Sequence, residues 1–336
     1  MKARRFLDLA DHSREEIVDL LALAQRLQDR PEPRALDGKI LGLVFFNPSL
    51  RTLASIQAGM ARLGGTSFVI TPGHGTWQLE HRLGVPMNAT AAEHVREGIP
   101  VLASFCDALG IRAFADGKDL AYDLAETNFN AMASLVDKPL INMESAMNHP
   151  CQSLADWKTL DDLRIAPRSK FVLSWVNHPR ALPLAVPAAT LHMAAMRGHE
   201  VVVLRPDGYA LPPQLLAKAR AAAAASGGSV RETDDRSDAL DGAQVLYAKE
   251  WGSTTYYGDA EKDAELRAGL SDWQVREDWF ARARPDSRFM HCLPVRRNVA
   301  VADEVLDGPR SVVLKEAHNR LVAQMAVLHR LLSATP

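Results

Sequence analysis

Short apolar runs recur along the chain and alternate with stretches whose apolar residues fall at helical spacing. The runs at 39–46, 67–70, 110–114, 139–142, 170–175, 200–204, 229–232, 243–248 and 287–290 predict strands. The stretches 51–63, 93–109, 184–197 and 213–225 predict helices between them. Such alternation builds parallel sheets, because each crossover returns the chain over a face of the sheet. The pattern runs twice, over about residues 38–145 and 168–312. A helix predicted at 150–163 lies between the two runs, with Pro150 suited to its first turn. A terminal helix is predicted at 315–332, long enough to return across the first domain. The expectation is an α/β protein with two doubly wound parallel-sheet domains. One is 1–149 together with the helix at 315–333; the other is 150–314.

Composition narrows the classes without choosing a chemistry. The 336 residues are 47% hydrophobic and 24% charged, enough for two domains with cores of their own. Lysine plus arginine number 39 against 41 acidic residues, a formal net charge of −2. Bulk attraction to nucleic acid or a membrane surface is therefore not expected, and any anion site must be built locally. The three cysteines, Cys106, Cys151 and Cys292, cannot all pair and fit no zinc spacing. Reduced thiols, no metal and a cytoplasmic location are the expectation. Charges interrupt the first twenty or so residues, so no signal peptide is read there.

Polar residues at predicted strand ends carry the candidate chemistry, since ligands of parallel sheets bind beyond the carboxyl ends of strands. Asn47-Pro48-Ser49-Leu50-Arg51-Thr52 follows a strand and opens a helix. Free backbone N–H groups, two hydroxyls and a guanidinium there suit a phosphate; the plainer reading is a helix cap with a solvated arginine. Arg112, inside an apolar strand, needs a partner and fits a structural ion pair equally well. His149-Pro150-Cys151-Gln152 offers a donor to an oxygen and an amide that can recognise another amide. His291-Cys292-Leu293-Pro294 follows the last strand, where a buried thiol and a turn are the plainer account. No Walker loop and no G-x-G-x-x-G is present, so no nucleotide cofactor is expected.

In this order and spacing, Ser49-Leu50-Arg51-Thr52, Arg112, His149-Pro150-x-Gln152 and His291-Cys292-Leu293-Pro294 resemble the aspartate/ornithine carbamoyltransferase family from about residue 40 to the C-terminal helix. The resemblance implies two α/β domains with the active site between them, and a homotrimer. It implies that Ser49, Leu50, Arg51 and Thr52 hold the phosphate of carbamoyl phosphate, with Arg320 facing the site. Arg112, His149 and Thr52 would polarise the carbonyl oxygen. Gln152 and the Leu293 carbonyl would hold the carbamoyl nitrogen, with Cys292 close to the chemistry. One departure stands out: the family usually carries arginine where this chain has Leu53.

The acceptor side resembles the N-acylornithine branch. Trp77, Ala92, Glu144, His178, Lys249 and Arg296 are the positions this implies for the acylornithine, with Trp77 supplied to a neighbouring subunit's site. Within the branch, the acetyl type has a glutamate at the place of Ala92, and the succinyl type lacks that acid. A carboxylate there would repel the succinyl carboxylate, so Ala92 favours N-succinylornithine over N-acetylornithine. The implied reaction moves the carbamoyl group of carbamoyl phosphate onto the side-chain amine, in arginine biosynthesis, with small molecules as the only partners besides other copies of the chain. No cofactor is implied, because the donor is already activated. Alternatives are an ornithine carbamoyltransferase, which the Lys249 segment disfavours, and a non-catalytic paralogue that binds carbamoyl phosphate. A nucleotide-dependent dehydrogenase lacks its glycine fingerprint.

Overall fold

The computed structural model describes residues 4–333, which form two compact units. The first comprises 4–116, 121–151 and 320–333; the second comprises 117–120 and 152–319. In the first unit, β1 (Arg5–Phe6), β2 (Ile40–Phe45), β3 (Thr66–Ile70), β6 (Ala108–Arg112) and β7 (Leu140–Glu144) make one sheet in the order β1-β7-β6-β2-β3. All its pairings are parallel. Two short strands, β4 (Leu79–Glu80) and β5 (Glu93–His94), pair separately. β6 and β7 bury every residue and β2 buries all but its first, which is why they read as apolar runs and not as alternation. Ile99, Leu109, Ile111, Phe129, Met132 and Leu140 belong to the core on one face of this sheet.

The second unit repeats the plan. β8 (Lys170–Trp175), β9 (Glu200–Leu204), β10 (Ser229–Thr233), β11 (Val245–Lys249) and β12 (Arg288–Met290) form a sheet in the order β10-β9-β8-β11-β12, again parallel throughout. Trp175 and Tyr209 pack with ring centroids 4.5 Å apart, and the Trp175 indole donates to the Trp251 carbonyl at 2.9 Å. Both buried rings thereby keep the chain after β11 in place.

Most predicted elements are found within a residue or two. The helix expected at 93–109 is shorter: it runs Val95–Ser104, with Pro100 in its interior, and Ala108 already begins β6. The strand expected at 110–114 is therefore Ala108–Arg112 and ends on the arginine. An apolar run shared by a helix end and a strand start carries no periodicity that could divide it. The amphipathic helix Arg14–Asp29 was not among the expected elements, although Ser13 and Glu16 form a capping box at its start. No helix among the described residues is long and apolar enough to cross a membrane.

Candidate active site

The strand order of the first unit brings the ends of β2, β6 and β7 together. After β2 the chain turns through Asn47, whose side-chain oxygen accepts from Phe114 N at 2.8 Å, tying this loop to the one after β6. Ser49 caps the Leu50–Arg62 helix by accepting from Thr52 N at 3.2 Å. The cap reading of Ser49 is therefore correct as local structure, and it coexists with a helix N-terminus that carries Arg51 and Thr52. Thr52 is buried, and its hydroxyl accepts from Arg320 Nη2 at 2.8 Å. With its lone pair so used, the Thr52 hydroxyl proton can be directed to another acceptor. Leu50, the first residue of that helix, is 82% exposed.

A register shift between β6 and β7 sets the next group. Ile111 lies opposite Asn142, but Arg112 lies opposite Glu144, one residue further along. The shift re-aims the two side chains toward each other at the strand ends. Arg112 Nη1 donates to Glu144 Oε2, Arg112 Nη2 reaches the Pro48 carbonyl at 3.4 Å, and the guanidinium stacks 4.5 Å from the Phe114 centroid. His149 Nε2 lies 3.3 Å from the same Glu144 oxygen. All three residues are buried. Glu144, expected on the acceptor side, thus has Arg112 and His149 converging on one of its oxygens. Donors that meet on one carboxylate oxygen have the geometry to meet on one carbonyl oxygen.

The loop from Glu144 to His149 is shaped by Glu126, which the sequence reading passed over. Its carboxylate accepts from Ser145 Oγ at 2.7 Å, Met147 N at 2.9 Å, Asn148 Nδ2 at 3.0 Å and Ala146 N at 3.1 Å. Burial pushes the Glu126 carboxyl up, and these donors oppose that shift. Trp77 lies in a mostly exposed stretch before β4. It is 61% exposed, and its indole donates to Glu93 Oε2 at 2.7 Å, beside the exposed Ala92.

In the second unit the site residues sit at the ends of β8, β11 and β12. Lys249, the last residue of β11, is buried with its ammonium 3.2 Å from Glu250 Oε1. Glu250 Oε2 lies 3.3 Å from His291 Nε2, while His291 Nδ1 accepts from Leu293 N at 2.9 Å. That pair of bonds places the imidazole proton on Nε2. Burial alone would raise the Glu250 carboxyl; the Lys249 charge and His291 hold it well below the carboxylate range. His178 is buried, with Nδ1 2.9 Å from the Arg180 carbonyl and Nε2 3.5 Å from Arg296 Nε. Burial lowers its pKa. Arg296 itself is exposed. Leu293 has a left-handed φ of 57° and precedes a cis proline. Cys292 is buried, and burial pushes its thiol up to about 12.

Gln152 is on the first turn of the Pro150–Asp162 helix, three residues after His149. Its amide nitrogen donates to Asp156 Oδ1 at 2.7 Å and to Glu316 Oε1 at 3.3 Å. Asp156, Glu250 and Glu316 were not among the expected residues. The i, i+4 spacing of Gln152 and Asp156 was the available signal for the first, and adjacency to Lys249 for the second.

A cavity of about 840 Å³ opens at the opposite, amino-terminal end of the second sheet, lined by Arg164, Arg168, Lys170, Arg231, Arg284 and Arg288 among others. The helices Pro150–Asp162, Ala185–Arg197 and Pro213–Ser226 end there. Cationic side chains at that end answer the negative ends of the helix dipoles, and none of the motif residues is among them.

The geometry can be set beside known proteins. The family profile described as "Aspartate/ornithine carbamoyltransferase, carbamoyl-P binding domain" matches residues 4–162. Its companion, "Aspartate/ornithine carbamoyltransferase, Asp/Orn binding domain", matches 186–331. N-acetylornithine carbamoyltransferase of Xanthomonas campestris is 36% identical over 332 residues, 98% of this chain and 97% of its own length. N-succinylornithine carbamoyltransferase of Bacteroides thetaiotaomicron is 36% identical over 294 residues, 88% of this chain and 87% of its own. A solved N-acetyl-L-ornithine transcarbamylase, a glutamate-to-alanine variant complexed with carbamyl phosphate and N-succinyl-L-norvaline, superposes with a TM-score of 0.94 at 36% identity. That match covers 98% of this chain and 99% of the other. With two profiles spanning almost its whole length and full-length relatives at this identity, the chain belongs to the aspartate/ornithine carbamoyltransferase family.

Proposed function

We propose that the protein transfers the carbamoyl group of carbamoyl phosphate to the side-chain amine of an N-acylornithine, with N-succinylornithine the preferred acceptor. The observation that carries this is the convergence of Arg112 and His149 on one oxygen of Glu144, beside a helix N-terminus bearing Arg51 and Thr52. The helix end, Ser49, Leu50, Arg51, Thr52 and Arg320 hold the phosphate of the donor. Arg112, His149 and the Thr52 hydroxyl stabilise the oxyanion that forms at the carbonyl, and Gln152 with the Leu293 carbonyl holds the carbamoyl nitrogen.

In the reaction the amine lone pair attacks the carbamoyl carbon. The bond from that carbon to the phosphate oxygen breaks, and phosphate leaves. An alkyl ammonium near pKa 10.4 must first lose its proton, at a cost of roughly 4–5 kcal/mol at neutral pH unless the site lowers that pKa. Cys292 is a poor base for this step, since its thiol stays protonated below about 12. The departing phosphate takes the proton instead.

Lys249, held by Glu250, pairs with the acceptor α-carboxylate, and His178 with Arg296 receives the acyl group. Ala92 leaves room and removes a negative charge where a succinyl carboxylate would lie. The N-acetyl-L-ornithine transcarbamylase structure in which a glutamate is replaced by alanine carries a succinyl ligand, which supports this preference. We further propose a homotrimer in which Trp77 serves the neighbouring subunit's site, in keeping with its 61% exposure, and a cytoplasmic place in arginine biosynthesis. Turnover of carbamoyl phosphate with N-succinyl-, N-acetyl- and free ornithine tests the assignment.

A further inference from the structure

Two carboxyl groups without a place in the scheme above sit directly behind Gln152. Asp156 and Glu316 are both 0% exposed. Both accept from the Gln152 amide nitrogen, at 2.7 and 3.3 Å. The remaining Asp156 oxygen accepts from the Tyr247 hydroxyl at 3.1 Å, and the remaining Glu316 oxygen accepts from His291 N at 2.9 Å. Asp156 Oδ1 and Glu316 Oε1 therefore meet at one amide nitrogen. Ionised carboxylates only accept, so two of them buried around one amide repel unless one of them holds a proton. The ionisable groups around the pair are Tyr247 from β11, Cys292 after β12, and the neighbouring Lys249 and Glu250. The Tyr247 and Cys292 protons are held firmly, both pushed up chiefly by burial.

We propose that Asp156 and Glu316 share one proton, and that this hydrogen-bonded pair fixes the Gln152 amide with its nitrogen turned inward, so that its oxygen is the atom presented to the donor. An amide held this way accepts from the carbamoyl NH₂ and offers nothing to a methyl group. Asp156 and Glu316 are thus positioning residues for donor selection. The inference rests on the reading of Gln152 as the residue that meets the carbamoyl nitrogen.

The physical basis is the balance of donors. Two buried like charges around one amide repel, and one ionises only at the expense of the other. A shared proton removes one charge and supplies the missing donor. The two amide hydrogens of Gln152, the Tyr247 hydroxyl and His291 N–H then serve the remaining acceptor sites. Burial and the Asp156 charge both favour the neutral form of Glu316.

Infrared difference spectroscopy of the intact enzyme, wild type against Glu316→Gln, tests the proton directly. A buried carboxylic-acid C=O stretch should persist in the wild type at mildly alkaline pH, where ordinary carboxyls are ionised, and vanish in Glu316→Gln. Its absence from the wild type overturns the shared proton. Kinetics test the positioning. Glu316→Ala should raise KM for carbamoyl phosphate by roughly tenfold, the scale of a lost hydrogen bond to a positioned amide, with a smaller change in kcat. It should also weaken discrimination against acetyl phosphate, which has a methyl in place of the amino group. Glu316→Gln, neutral and of the same shape, should recover most of that loss. Unchanged discrimination in Glu316→Ala overturns the positioning role. A Gln152→Ala enzyme that still rejects acetyl phosphate as the wild type does would instead remove the underlying assignment of Gln152, with the infrared result unaffected.

Discussion

At the scale of single residues, the account turns on Arg112, Glu144 and His149. Removing one donor to an oxyanion typically costs about 10²–10³ in rate, so Arg112→Ala should lower kcat by that order at saturating substrates. It also strands the buried Glu144 carboxylate, and breaking a buried pair costs about 3–5 kcal/mol of stability. The double variant Arg112→Met/Glu144→Gln separates the two effects. Its Tm should return toward wild type while turnover stays low. Recovery of turnover along with Tm would make Arg112 a structural residue only. Arg112 was legible in the sequence as an arginine in an apolar strand, and His149 and Glu144 through the family resemblance. Their mutual arrangement was not. It depends on a register shift between β6 and β7 that leaves no compositional trace. Glu126 was missed because a carboxylate that satisfies a loop looks, in sequence, like any surface acid.

At the scale of elements, the parallel strands were the easiest to read, since burial on both faces makes them continuous apolar runs. β8 and β9 were expected at the bounds they have. Helix ends were harder where one apolar run serves two elements, as at 93–114. The Ala185–Arg197 helix ends at Gly198 with φ 90°, a left-handed cap, and delivers Arg197 and His199 to the start of β9. His199 is 0% exposed, with Nε2 2.7 Å from Arg197 Nη1 and Nδ1 3.0 Å from the Ser169 carbonyl. Burial, helped by the Arg197 charge, lowers its pKa from 6.5 to about 4. The folded state holds it neutral, so the unfolded chain binds more protons between those two values. Its contribution is therefore complete above about pH 6.5 and is lost as pH falls toward 4, a total of about 3 kcal/mol. Urea unfolding from pH 4 to 7 should show stability rising with pH across that window, and His199→Asn should flatten the rise. An equal slope in the variant would assign the acid sensitivity elsewhere.

At the scale of the molecule, two parallel sheets of one plan each carry candidate residues at the carboxyl ends of their strands. The alternation of strands and helices made this twofold plan readable before any coordinates. Assembly was not readable in the same way, because an exposed Trp77 looks alike on a monomer and at the edge of a neighbour's site. The proposed homotrimer predicts a light-scattering mass three times that of the chain. It also predicts that Trp77→Ala raises KM for the acylornithine and leaves KM for carbamoyl phosphate near wild type. A monomeric mass with full activity would remove the intersubunit role.

The reading as a whole is tested most directly by supplying carbamoyl phosphate with each of three acceptors and measuring phosphate and carbamoylated product together. Equal molar amounts of both products with N-succinylornithine, slower formation with N-acetylornithine and little with free ornithine are the predicted result. Equal rates with all three acceptors, or carbamoyl phosphate bound without any carbamoylated product, would contradict it.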